Sequence, residues 1–111
     1  MANTFKSATV RQMGTGATDL YEVPSSTTTI ILGLTLANTN ASTRTVSVSF
    51  IDKSVHASNL VYLLNEVSIP GDTTLEVFAG QKIVLMTTDV LKVLASATAS
   101  IDATLSYMEI T

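Results

Sequence analysis

The chain has 111 residues, no cysteine and a formal net charge of −3, which excludes disulfide frameworks and thiolate metal sites. Its six Lys and Arg residues (Lys6, Arg11, Arg44, Lys53, Lys82 and Lys92) are scattered, so it lacks the clustered cations that a nucleic-acid surface needs. Charged residues make up 14% of the chain, against about 25% on average; Ser and Thr, roughly a quarter of all residues, give a surface that docks with little ion desolvation.

The length fits a single domain, residues 1–111, large enough to bury a core unaided. The densest apolar run, Ile30 to Ala37, is interrupted by Gly33 and Thr35. It falls far short of the ~20 residues that cross a bilayer. MANTFKSATV has no apolar core of the kind a signal peptide carries. A cysteine-free chain also suits assembly in a reducing cytoplasm.

Phe5 to Met13 alternates weakly, with Phe5, Ser7, Thr9 and Arg11 opposite Lys6, Ala8, Val10 and Gln12. Residues 1–13 are expected to be either an edge strand or an assembly arm. An arm would swing on Gly14-Thr15-Gly16, whose glycines tolerate unusual backbone angles. Asp19 to Val23 is a short strand ended by Pro24, which has no ladder donor. Thr27 to Ala37 and Thr43 to Asp52 carry the clearest period of two. In the first, Ile30, Leu32, Leu34 and Leu36 share a face, opposite Thr29, Ile31, Gly33 and Thr35. In the second, Val46, Val48 and Phe50 oppose Thr45, Ser47 and Ser49. The turn formers Asn38-Thr39-Asn40-Ala41-Ser42 between them predict an antiparallel hairpin. Gly33 predicts the close approach of another backbone or side chain.

A longer loop, Lys53 to Asn59, leads into a strand at Leu60 to Ile69. Pro70-Gly71-Asp72 predicts a type II turn, with glycine taking the positive φ. Strands follow at Thr73 to Ala79, Lys82 to Met86 and Val90 to Leu94, with turns at Ala79-Gly80 and Thr87-Thr88-Asp89. After the small residues Ala95 to Ser100, Ile101 to Ile110 closes the chain. Ile101, Ala103, Leu105 and Tyr107 share one of its faces. Eight or nine short strands separated by turn signals predict an all-β fold. The pattern fits an antiparallel β-sandwich, jelly-roll-like, or a barrel-like relative of one.

No catalytic, cofactor or metal site emerges. His56 is the one histidine, with Asp52, Ser54 and Ser58 near it in sequence. Proximity in a loop does not build a triad, and no nucleophile elbow is present. A zinc site needs three or four ligands. The carboxylates (Asp19, Glu22, Asp52, Glu66, Asp72, Glu76, Asp89, Asp102 and Glu109) form no dense calcium loop. Asp72 and Asp89 read as turn residues. Gly14-Thr15-Gly16 lacks the lysine of a phosphate loop. Tyr21, Tyr62 and Tyr107 would make a sugar-binding platform if their faces were exposed together; otherwise they are ordinary strand residues.

Several stretches resemble small virion structural proteins of tailed bacteriophages, especially those of cyanobacteria and other marine bacteria. They are MANTFK, Tyr21 to Pro24 with Thr27 to Asn38, and Met108-Glu109-Ile110-Thr111. The likeness is clearest over the first half of the chain and its last few residues. Phe78-Ala79-Gly80-Gln81-Lys82 matches no family pattern. The resemblance implies a non-enzymatic particle component, located in the virion and assembled in the host cytoplasm, with other virion proteins as partners. It carries over no catalytic, cofactor-binding or metal-binding residue. A tail, neck or baseplate accessory and a capsid decoration (cement) protein both fit, each as a homo-oligomer. A carbohydrate-binding β-sandwich module is the alternative.

Overall fold

The computed structural model describes residues 2–16, 18–53, 60–78, 81–98 and 100–111. Among them, nine strands form two antiparallel sheets facing each other across one core. They are β1 (Asn3–Val10), β2 (Thr18–Glu22), β3 (Thr28–Asn38), β4 (Arg44–Ile51), β5 (Leu60–Ile69), β6 (Thr74–Glu76), β7 (Ile83–Leu85), β8 (Val90–Ala95) and β9 (Ile101–Ile110). The first sheet runs β1-β9-β3-β6, with the short β7 sharing the β6 side of β3. The second runs β2-β8-β4-β5. The pairs nest: β4 with β5, β3 with β6, β2 with β8 and β1 with β9. One long two-stranded ribbon has in effect been bent at β4–β5 and wrapped around itself, which is the jelly-roll arrangement.

This topology overturns the predicted hairpin. β3 and β4 lie in different sheets, and Asn38 to Thr43 cross between them. Turn formers signal a reversal of direction and do not say whether the next strand pairs alongside or crosses the core. The crossing is pinned by Asn38, which is 2% exposed. Its Nδ2 donates to the carbonyls of Ser42, Ile69 and Pro70 at 3.0, 2.9 and 3.3 Å, and its Oδ1 accepts from Asn40 N at 3.0 Å. Gly71 packs against the same crossing: a Cβ there would lie 2.1 Å from the Ala41 carbonyl oxygen. The type II expectation is corrected accordingly. The positive φ (57°) falls on Asp72, and Gly71 is required for close approach.

A bulge re-phases β3. Ile31 pairs with Tyr107 and Gly33 with Ser106, so Leu32 is an extra residue in the ladder. Thr29 and Ile31 face the core before the bulge, and Leu34, Leu36 and Asn38 face it afterwards. The predicted face was right for Leu34 and Leu36 and wrong for Ile30 and Leu32, because strict alternation fails across a bulge. The space beside Gly33 is open, so it marks the bulge and not a close approach. On β4, Val46 and Val48 are buried as expected, with Phe50 packed against the core. All four predicted inward residues of β9 are buried.

Within residues 1–13, Asn3–Val10 form the edge strand β1. β1 pairs with β9 over its whole length, Asn3 to Val10 against Ile110 to Ala103. Met13 is fully buried, and its N–H donates to the Ile101 carbonyl at 2.7 Å. The chain then passes to the second sheet, where the Gly14 carbonyl accepts from Ala95 N. The left-handed backbone in this stretch belongs to Gln12 (φ 55°).

Candidate assembly surface

The first sheet turns one face to the core and the other to solvent. Cross-strand partners share a face, so the register identifies the outward set. Phe5 stands opposite Met108, Met108 opposite Ile30, and Ile30 opposite Val84. Four apolar side chains thus make one row across β1, β9, β3 and β7. Phe5 is 72% exposed and Val84 54%, while Met108 and Ile30 are half-buried between them. Isolated exposed apolar residues are normal, whereas a contiguous row marks a contact surface. On β1, β9 and β3 the outward positions beside the row are uncharged: Asn3, Ile110 and Thr28 on one side, Ser7, Ser106 and Gly33 on the other. Charge returns at the far end of the sheet with Glu76 and Asp102.

β1 lies at the edge of this sheet. Lys6 stands opposite Tyr107 and so points inward, where its Nζ pairs with Glu109 Oε1 at 2.8 Å. An inward charge on an edge strand discourages the addition of a further strand. The outer face is therefore better suited to a neighbour than the β1 edge is.

Behind the row sits a polar cluster joining the two sheets. The Tyr21 hydroxyl, from β2, donates to Glu109 Oε2 on β9 at 2.6 Å. The Thr29 hydroxyl lies 2.7 Å from the same Tyr21 oxygen. Glu109 is held below the ordinary carboxylate range by its hydrogen bonds from Lys6 and Tyr21, against an opposing effect of burial. Lys6 is raised by its hydrogen bond to Glu109 and by that carboxylate's charge. Burial, reinforced by the bond to Glu109, pushes the Tyr21 hydroxyl well up.

The three tyrosines do not form the platform that a sugar-binding reading would require. Tyr21 and Tyr107 stack on each other between the sheets, ring centroids 4.2 Å apart. Tyr62 projects from β5 and is 53% exposed. Ser54, His56 and Ser58 lie outside the described residues. Asp89 is a turn residue as expected, but a buried one: its carboxylate accepts from Lys53 N and Met86 N at 3.1 and 3.0 Å. Among the described residues no three His, Asp or Glu side chains converge to hold a metal ion. The apolar row escapes sequence reasoning because its four members come from four strands far apart in the chain. Alternation within β3 even places Ile30 inside.

No protein-family model matches the chain, and no curated protein matches it. Solved structures do share its fold. A chain of the acidic stable capsid of Helicobacter pylori bacteriophage KHP30 aligns with a TM-score of 0.58 at 12% identity, covering 100% of this chain and 89% of that one. A protein of the Bacillus endospore appendages, disulfide-linked pili, aligns with a TM-score of 0.54 at 11% identity, covering 96% and 85%. A protein of the T13 IBDV viral particle aligns with a TM-score of 0.56 at 7% identity; 96% of this chain is covered, but only 30% of that much longer one.

Proposed function

We propose that the protein is a non-enzymatic structural component of a virus particle, whose 111 residues act as one domain that packs against copies of itself in a symmetric assembly. The observation that carries this reading is the row Phe5, Met108, Ile30 and Val84, flanked on β1, β9 and β3 by uncharged outward residues. Copies of a chain with net charge −3 repel one another at long range. They approach most favourably through a patch, such as this row, that has no carboxylate to repel or desolvate. A two-fold contact would set row against row, with Ser and Thr hydroxyls around it.

The fold likeness to chains of a phage capsid, a pilus and a viral particle supports an assembly role. Two of these neighbours come from viral shells, which favours a capsid position, such as a decoration protein, over a tail, neck or baseplate accessory. The attribution to tailed phages rests on the sequence resemblance of MANTFK, Tyr21 to Asn38 and Met108 to Thr111. Other virion proteins are then partners, and the virion is where the protein resides.

Phe5→Asp tests the reading. Burying a phenylalanine contributes about 1.5–3 kcal/mol, so self-association should weaken about 10- to 100-fold. Sedimentation should show an oligomer for the parent chain and a folded monomer for the variant, which should also fail to enter particles. A monomeric parent at high concentration, or a variant that keeps both mass and incorporation, would count against it.

A further inference from the structure

On the second sheet, a pocket of about 210 Å³ opens between β4, β5 and β8. Ser47, Ser49, Tyr62, Asn65, Glu66 and Leu94 line it. Alternation along β4 sends Val46 and Val48 to the core and Ser47 and Ser49 outward. Outward serines on a sheet are ordinarily solvated, yet these two are only 6% and 4% exposed.

The cause is an irregularity in β5. Val46 pairs with Val67 and Val48 with Leu64, so Asn65 and Glu66 both sit across from Ser47. Glu66 has φ 53°, and its N–H donates to Ser47 Oγ at 3.0 Å. A non-glycine residue held in left-handed backbone is strained, and such strain is commonly kept where a site is built. Bulges likewise re-aim side chains beside binding sites. The Ser47 oxygen already accepts a bond, so its hydroxyl proton is free to donate. The Ser49 hydroxyl makes no hydrogen bond among the described residues, yet no buried side-chain oxygen or nitrogen among them is both sealed and unpartnered. The Ser49 hydroxyl must therefore open into the pocket.

We infer that this pocket binds a single neutral sugar ring. Glu66 lines it, and Lys92, which stands opposite Ser49 on the same face, is already paired with Asp19, so a phosphate or carboxylate ligand would meet repulsion without a free counter-charge. A wholly apolar ligand would leave Ser49 and Asn65 without partners, which is costly once they are desolvated. A sugar ring presents both surfaces the pocket offers partners for. Its C–H face suits the Tyr62 ring and Leu94. Its hydroxyls suit the serines, the Asn65 amide and the Glu66 carboxylate. The volume lies below the roughly 300 Å³ at which drug-sized sites begin, which fits one ring. This site uses Tyr62 alone among the tyrosines, and it does not depend on self-assembly through the other sheet.

The test is an amide chemical-shift titration of the full chain with glucose, galactose, mannose and N-acetylglucosamine in turn, and with inorganic phosphate as the anionic control. One of the sugars should move the amides of residues 47–49 and 62–66, with a dissociation constant on the order of 1–10 mM for so small a ligand. Tyr62→Ala and Glu66→Gln, both at exposed positions, should each weaken it about tenfold or more. Phe5→Asp should leave it unchanged. Silence from all four sugars, shifts confined to other residues, binding indifferent to both pocket variants, or a response to phosphate in place of sugar would each overturn the proposal.

Discussion

The Tyr21 hydroxyl reaches across the sandwich to Glu109 Oε2 at 2.6 Å and ties β2 of one sheet to β9 of the other. With its proton committed to the carboxylate, the Tyr21 oxygen accepts from Thr29, and Lys6 holds the second carboxylate oxygen. The cluster favours ionised Glu109, whose folded-state pKa lies below the ordinary 4.5. Its contribution to stability is thus full above about pH 4.5 and is lost as the pH falls through the lowered value. Glu109→Gln should be less stable than the parent at pH 7, and the gap should narrow as both are unfolded at pH 4 and then 3. A gap that stays constant with pH would contradict this. Tyr21→Phe should cost about 1–3 kcal/mol at pH 7, as expected for a bond to a charged group, measured by denaturant unfolding.

The bulge in β3 makes a contrast between two neighbouring leucines. Leu34 is 2% exposed, so Leu34→Ala should destabilise by about 2–5 kcal/mol. Leu32, the extra residue of the bulge, is half-buried on the outer side. Leu32→Ala should cost about 1 kcal/mol or less. Equal losses in chemical denaturation would mean that strict alternation holds after all.

Gly71→Ala should destabilise by about 1–3 kcal/mol, the usual cost of overpacking. Its new Cβ would fall 2.1 Å from the Ala41 oxygen and 3.0 Å from that of Asn40, so the crossing has to shift. Thermal unfolding of the variant measures the loss; an unchanged midpoint would show that the crossing gives way freely.

Removing residues 1–13 should prevent folding, because it deletes the fully buried Met13 and strips β9 of its β1 partner. Far-UV circular dichroism and hydrogen exchange would read the outcome. A deletion chain that folds normally would support a detachable arm instead.

The strands themselves were legible, since their period of two is written locally: Leu60 to Ile69 and Ile101 to Ile110 begin and end where expected. Strand partnership was not. Asn38 and the residues after it look the same whether the chain turns back beside itself or crosses the core. The deciding contacts, to Ile69 and Pro70, come from a segment about thirty residues away. Glycine chemistry was read only in part. The close approach expected at Gly33 and the positive φ expected at Gly71 both failed, because the Leu32 bulge and the Ala41 contact that explain these glycines depend on neighbouring strands. The sugar-binding idea rested on tyrosine count. The sheets separate Tyr62 from Tyr21 and Tyr107, and the pocket beside Tyr62 owes its shape to a strained Glu66 that no local pattern announces.

The nested pairing also sets a constraint on synthesis. Of these nine strands β1 is made before the others, yet its ladder partner is β9, the latest of them. β9 in turn lies between β1 and β3, so the first sheet has a gap in its middle until β9 has emerged. β4 and β5 can meet early, but Phe5 and the unpaired backbone around it have to wait until β9 has been made. Such a waiting segment is open to pairing with nascent copies on the same message. β9 is therefore the strand that closes the first sheet, and a stall before it would leave that sheet open.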